Sequence, residues 1–143
     1  MTTSADQAAI QAVLTAVDRA YHDRNATEAV SHYTPDARIA DLAPPLAHPI
    51  DGAKLAAWFS TWEGPVEREI RDLVITSGGE LAFCHCLVKV SAVTKQGGHH
   101  ATWWMRSTSC LRREGATWKI AHEHTSVPFL MDGSFKAAVD LTP

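Results

Sequence analysis

Apolar residues recur at spacings of three and four near the start of the chain. Ile10, Val13, Leu14, Val17 and Tyr21 fall on one stripe, the pattern of a long amphipathic helix that packs through one face. Ser4, followed three residues later by Gln7, predicts a capping box with Ser4 as N-cap. A second, short helix is expected from about Asn25, with Glu28 three residues on; it has to end by Thr34, because Pro35 disfavours helix in the residue before it. Ala37 to Leu42 reads as a short strand, broken by Pro44-Pro45. A third helix is expected from Gly52 to Trp62, carrying Leu55, Trp58, Phe59 and Trp62 and stopping at Gly64-Pro65.

The pattern then changes. Four segments rich in β-branched and aromatic residues follow, at about 66–76, 81–94, 100–113 and 117–127. Ser77-Gly78-Gly79-Glu80, Gly97-Gly98 and Glu114-Gly115-Ala116 separate them, and such turn chemistry predicts an antiparallel meander. Helices first and a meander second make an α+β domain in which helices cover one face of the sheet. The 143 residues predict a single domain. The tail from Met131 to Leu141 is expected to pack back as a short helix or coil.

Composition changes this picture little. The chain is 45% apolar and 20% charged, with a net charge of −3, so no overall field draws it to nucleic acid or anionic lipid. Met1 to Asp6 lacks a basic region followed by an apolar stretch, and no uncharged apolar run approaches about 18 residues. The expectation is a soluble, cytoplasmic protein with neither nucleic-acid nor membrane partners. Cys84, Cys86 and Cys110 are odd in number and are read as reduced thiols.

Three stretches point to a family. Tyr33-Thr34-Pro35-Asp36-Ala37-Arg38 runs from a helix end into a strand, Ser77 to Phe83 forms a hairpin, and Trp118 to Ser126 is the last strand. Together they resemble the SnoaL-like and ketosteroid-isomerase-like branch of the nuclear-transport-factor-2-like superfamily. The resemblance implies a cone: three N-terminal helices on a strongly curved, mainly antiparallel sheet that encloses a pocket. Ketosteroid isomerase uses an aspartate base, with a tyrosine and a protonated aspartic acid as its oxyanion hole. Aligned without gaps, the base falls on Asp41, the tyrosine on Val17 and the protonated acid on Ser109. Tyr21, one turn beyond Val17, could bring a hydroxyl to the pocket from a new position.

Strand alternation then assigns the faces. His122, His124 and Ser126 share a side with Trp118 and Ile120, which the resemblance makes the concave one. The resemblance likewise puts Trp103, Met105, Ser107 and Ser109 inside, with Trp104, Arg106, Thr108 and Cys110 outside. On the strand before, Phe83, His85 and Leu87 are expected inside, with Cys84, Cys86 and Val88 outside. Glu123 is expected to face outward. A β-bulge anywhere would invert part of these assignments.

Three readings of His122-x-His124 stay open. The pair is suited to acid/base work with Asp41; with His85 and Asp41 it has a His₃Asp ligand set for a metal; or it only hydrogen-bonds within a polar cavity. The leading expectation is a cofactor-free isomerase, cyclase or lyase moving protons on a hydrophobic carbonyl compound. Its catalytic candidates are Asp41, His122, His124, His85 and Tyr21. Val17, Trp58, Phe59, Trp62, Phe83 and Leu87, with Trp103, Met105, Ser109 and Ser126, would contact the substrate. The rival is a non-catalytic ligand-binding or dimerisation module, and a metal-dependent oxygenase or hydrolase is a third reading. A homodimer through the outer sheet face is the expected assembly.

Overall fold

The computed structural model describes residues 2–143; Met1, part of the N-terminal stretch read for a leader, lies outside them. Helix α1 spans Ser4–His22. Its N-cap is Thr3 rather than Ser4: the Thr3 side chain accepts from Asp6 N. Gln7 N reaches only Thr3 O, the first helical backbone bond. Helix α2 spans Ala26–Ser31 behind its N-cap Asn25, and α3 spans Gly52–Phe59 behind Asp51.

Strand β1 runs over Tyr33–Ala40 and therefore starts four residues earlier than expected, with Pro35 inside it. A two-residue strand β2, His48–Pro49, returns antiparallel to β1. The meander is β3 (Trp62–Gly78), β4 (Leu81–Thr94), β5 (His100–Glu114) and β6 (Thr117–Ser126). Trp62 thus opens a strand instead of closing α3. Gly64-Pro65 lies within β3, at a break in its register with β4. Proline is tolerated there because β3 is an edge strand and one flank needs no N–H donors.

The six strands form one sheet in the order β2-β1-β6-β5-β4-β3. Every pairing is antiparallel except β1 with β6. The tail is irregular; a bridge between Phe129 and Ala137 folds it back on itself, and Ala138 is buried. Among the described residues, no helix is long and apolar enough to cross a membrane.

The core lies between the helices and the concave face. Ile10, Leu14 and Val17 of α1 pack on Ala82, Cys84, Leu111, Trp118 and Ile120; farther along, Phe59 packs with Val66, Val88, Val90 and Ala92. This settles the parity of β4 against the expectation. Ala82, Cys84, Cys86, Val88 and Val90 point inward, and Phe83, His85 and Leu87 point outward. Both faces of β4 carry apolar residues, so alternation alone did not choose between them. The bulky rings of Trp103, Trp118 and Phe59 already fill the concave side, which leaves room opposite them for small or β-branched side chains.

Strand β6 inverts midway. Cys110 pairs with His122 and Leu111 with Ile120, so Ala121 is an extra residue with no partner on β5. Such a bulge shifts every later side chain to the other face. Trp118 and Ile120 remain inside as expected. Beyond them Glu123 and Thr125 are the buried residues, and His122, His124 and Ser126 face the convex side. Ile120→Ala should cost about 2–4 kcal/mol in urea unfolding, whereas His124→Ala should stay within about 0.5 kcal/mol. Equal losses at the two positions would contradict this parity.

Candidate functional site

The sheet, α1, α3 and the loop from Leu42 to Pro45 enclose a cavity of about 420 Å³. Tyr21 and Trp58 form its helical wall, with Tyr33, Ile39, Val90, Trp103 and Met105 on the sheet side. The aromatic rings brace one another: Tyr21 and Trp58 lie 6.1 Å apart between centroids, and Trp62 stands 6.4 Å behind Trp103. A mostly apolar chamber with a few convergent polar groups suits a small-molecule site. Those polar groups fall into two sets.

The first set is the floor. Glu123 is 7% exposed; its Oε2 accepts from the Tyr33 hydroxyl at 3.2 Å and from the Ser109 hydroxyl at 3.3 Å. Arg68 of β3 reaches Asp18 of α1 with Nε 3.2 Å from Oδ1, and its guanidinium lies over the Tyr21 ring, 4.6 Å from the centroid. Burial pushes the Asp18 carboxyl up to about 6, with Arg68 pulling against it and Glu123 adding to it. Burial also works against the Arg68 charge, but the Asp18 and Glu123 carboxylates counter it and hold the guanidinium protonated. The Tyr21 and Tyr33 hydroxyls are raised by burial and stay neutral. Below the floor a 20 Å³ void separates Val17, Cys84 and Ser109.

The second set is the rim. Pairing of β2 with β1 sets His48 beside Ile39, and Ile39 in turn pairs with Glu123. His48 and Glu123 are therefore two strand spacings apart, about 10 Å. His48 Nε2 lies 2.8 Å from Asp41 Oδ2, and Nδ1 lies 2.7 Å from Pro49 O. A carbonyl oxygen only accepts, so Nδ1 carries hydrogen and donates, and one proton is shared between Nε2 and Asp41. Asp51 also lines the rim but accepts from Ala53 N and Lys54 N as a helix cap.

Of the expected site residues, Asp41, Tyr21, Trp58, Trp103 and Met105 line the chamber. Val17 and Phe59 are core residues, Trp62 packs behind Trp103, and Ser109 sits beneath Glu123. Phe83, Leu87 and Ser126 lie on the convex face, where Ser126 accepts from Arg106 Nε at 3.0 Å. His85, His122 and His124 lie there too, and His122 Nδ1 is 2.7 Å from Arg38 O. No group of three or more His, Cys, Asp or Glu among the described residues is placed to hold a metal ion, so the His₃Asp set does not form. Cys84 and Cys86, inside rather than outside, are raised by burial to about 12 and about 11 and are inert thiols.

The sequence reading missed Asp18, Tyr33, His48, Arg68 and Glu123. Two of these carried a signal: Asp18 interrupts the apolar stripe of α1, and Arg68 falls between Val66 and Ile70 at inward parity. Glu123 did not, because the bulge hides it.

The family model of the SnoaL-like domain matches residues 10–130. No curated protein matches the chain. Among solved structures, a nuclear-transport-factor-2-like protein of unknown function from Pseudomonas putida KT2440 is 26% identical over the whole of both chains, with a TM-score of 0.88. A proposed scytalone dehydratase from Novosphingobium aromaticivorans is 12% identical over 94% of this chain and 91% of its own, with a TM-score of 0.79. A ketosteroid isomerase-like protein from Erwinia carotovora is 20% identical over 87% and 97%, with a TM-score of 0.70.

The raised Asp18 carboxyl makes the folded state the tighter proton binder between its ordinary value of 3.8 and about 6. Its contribution to stability is therefore fully present below pH 3.8 and is lost as pH rises through about 6, a change on the order of 3 kcal/mol. Unfolding free energies measured from pH 4 to 7 should show this fall in the wild type and lack it in Asp18→Asn.

Proposed function

This chain belongs to the SnoaL-like domain family, and we propose that it is a cofactor-free isomerase or lyase that moves protons on a hydrophobic carbonyl compound. The observation that carries this reading is the Asp41–His48 pair, joined at 2.8 Å on the rim of a mostly apolar chamber. The dehydratase and isomerase names among the structural neighbours agree with such chemistry, though identities of 12% and 20% speak for the fold alone.

Asp41 takes the proton from the carbon beside the carbonyl. His48 holds the carboxyl in place through the shared proton, and its own ring is fixed from behind by Pro49 O. His48 thus stands beside Asp41 where the sequence led us to expect His122 or His124. A positioned acid or base of this kind contributes about 10²–10⁴-fold to rate. The Asp41 side chain is 46% exposed, so the carboxylate is reached from the mouth of the chamber.

The rival, a binding module without turnover, draws support from Val17 and Ser109. They stand where the isomerase resemblance calls for two hydrogen-bond donors, yet one is apolar core and the other spends its hydroxyl on Glu123. We further propose that the assembly is a dimer through the convex face, where Phe83 and Val74 are each 47% exposed. Sedimentation should show a dimer that Phe83→Lys shifts to monomer.

Deuterium exchange beside the carbonyl of a panel of cyclic ketones, followed by NMR in D₂O, tests the proton-transfer reading. The protein should accelerate exchange, Asp41→Asn should remove at least about a hundredfold of that acceleration, and His124→Ala should leave it unchanged. Full exchange in Asp41→Asn would overturn the assignment; a co-purified ligand that stays chemically unchanged would favour the rival.

A further inference from the structure

The proton-transfer reading leaves the chamber floor unexplained. The Arg68 side chain is 7% exposed. A guanidinium presents five donors in a fixed fork, yet among the described residues no aligned hydrogen bond reaches it. Its Nε is buried without a hydrogen-bond partner, so the 3.2 Å approach to Asp18 is a charge contact alone. Trp103, which shares a cross-strand row with Arg68 through Val90, also has a buried and unpartnered Nε1. Buried donors without acceptors are costly, and both residues line the chamber.

Glu123 shows the complementary gap. Both hydroxyls that reach it fall on Oε2, and no donor meets Oε1 among the described residues. The floor therefore sets spare donors beside one spare acceptor. Its charge is already balanced toward the negative, with the Asp18 and Glu123 carboxyls around a single guanidinium. A carboxylate ligand would add a third negative group, and an ammonium would face Arg68. A neutral group carrying both an acceptor and a donor meets neither penalty.

We propose that Arg68 and Glu123 anchor a neutral ring compound bearing a carbonyl and a hydroxyl, Arg68 donating to the carbonyl oxygen and Glu123 Oε1 accepting from the hydroxyl. The choice of a carbonyl rests on the proton-transfer reading; the donor–acceptor pairing does not. The balance of the step is simple. As Asp41 takes the proton, the C–H bond breaks, its electron pair moves through the new C=C bond onto the oxygen, and Arg68 offsets the charge that develops there. Arg68 thereby takes the part that Val17 and Ser109 leave open.

Binding of four bicyclic probes, followed by quenching of Trp58 and Trp103 fluorescence, tests this without any turnover. The probes are indane, 1-indanone, 3-hydroxy-1-indanone and indane-1-carboxylate. In the wild type, 1-indanone should bind about tenfold more tightly than indane, a hydrogen bond to a charged group being worth that much or more. The hydroxyl should add about threefold more, and the carboxylate should bind least. Arg68→Met combined with Asp18→Asn and Glu123→Gln removes the three buried charges together, so that none is left unpaired. It should bring 1-indanone to the level of indane. Indane and 1-indanone within about twofold of each other in the wild type, or the carboxylate as the tightest probe, would overturn the proposal even if no variant folds. Exchange rates report on Asp41 and binding increments on Arg68 and Glu123, so either reading can fail while the other holds.

Discussion

One extra residue in the last strand governs the interior of this protein. Up to Ile120, β6 has to face α1, because Trp118 and Ile120 complete the apolar core beneath Ile10 and Leu14. Without the bulge at Ala121 the same parity would carry two imidazoles into the chamber and turn a carboxylate to the convex side. With it, Glu123 arrives between Tyr33 and Ser109, whose hydroxyls both meet it. The convex histidines need no burial, and His122 is satisfied by Arg38 O.

Placing a carboxylate there calls for a compensating charge. Arg68 supplies it from β3, at the opposite edge of the sheet, and the curvature of the sheet brings the two strands around one cavity. Asp18 then completes the set from α1. Burying three ionisable groups together is a poor way to gain stability, since desolvation consumes most of the attraction. Apolar residues of similar volume would serve the fold as well.

The rim is built on a different principle. A two-residue strand, the short β2, pins His48 beside Ile39, and its partner Asp41 is the first residue beyond β1. Backbone pairing therefore sets the distance from rim to floor, roughly two strand spacings, which leaves room for a ring compound between them.

Much of this was legible in the residues themselves. The stripe from Ile10 to Tyr21, Asn25 as a cap, and the glycine-bearing turns located the first two helices and four long strands, because helical periodicity and turn chemistry are local properties. The inward parity of Trp103, Met105 and Ser109 and the place of Asp41 in the cavity wall came from the family resemblance rather than from local pattern. The parity of β4 did not follow, because apolar residues on both of its faces are told apart only by what already fills the space opposite. Nor did Glu123, since a bulge depends on how two strands pair and leaves no mark in either one alone. The charges of α1, β3 and β6 meet only because the sheet bends, and that meeting belongs to the tertiary structure.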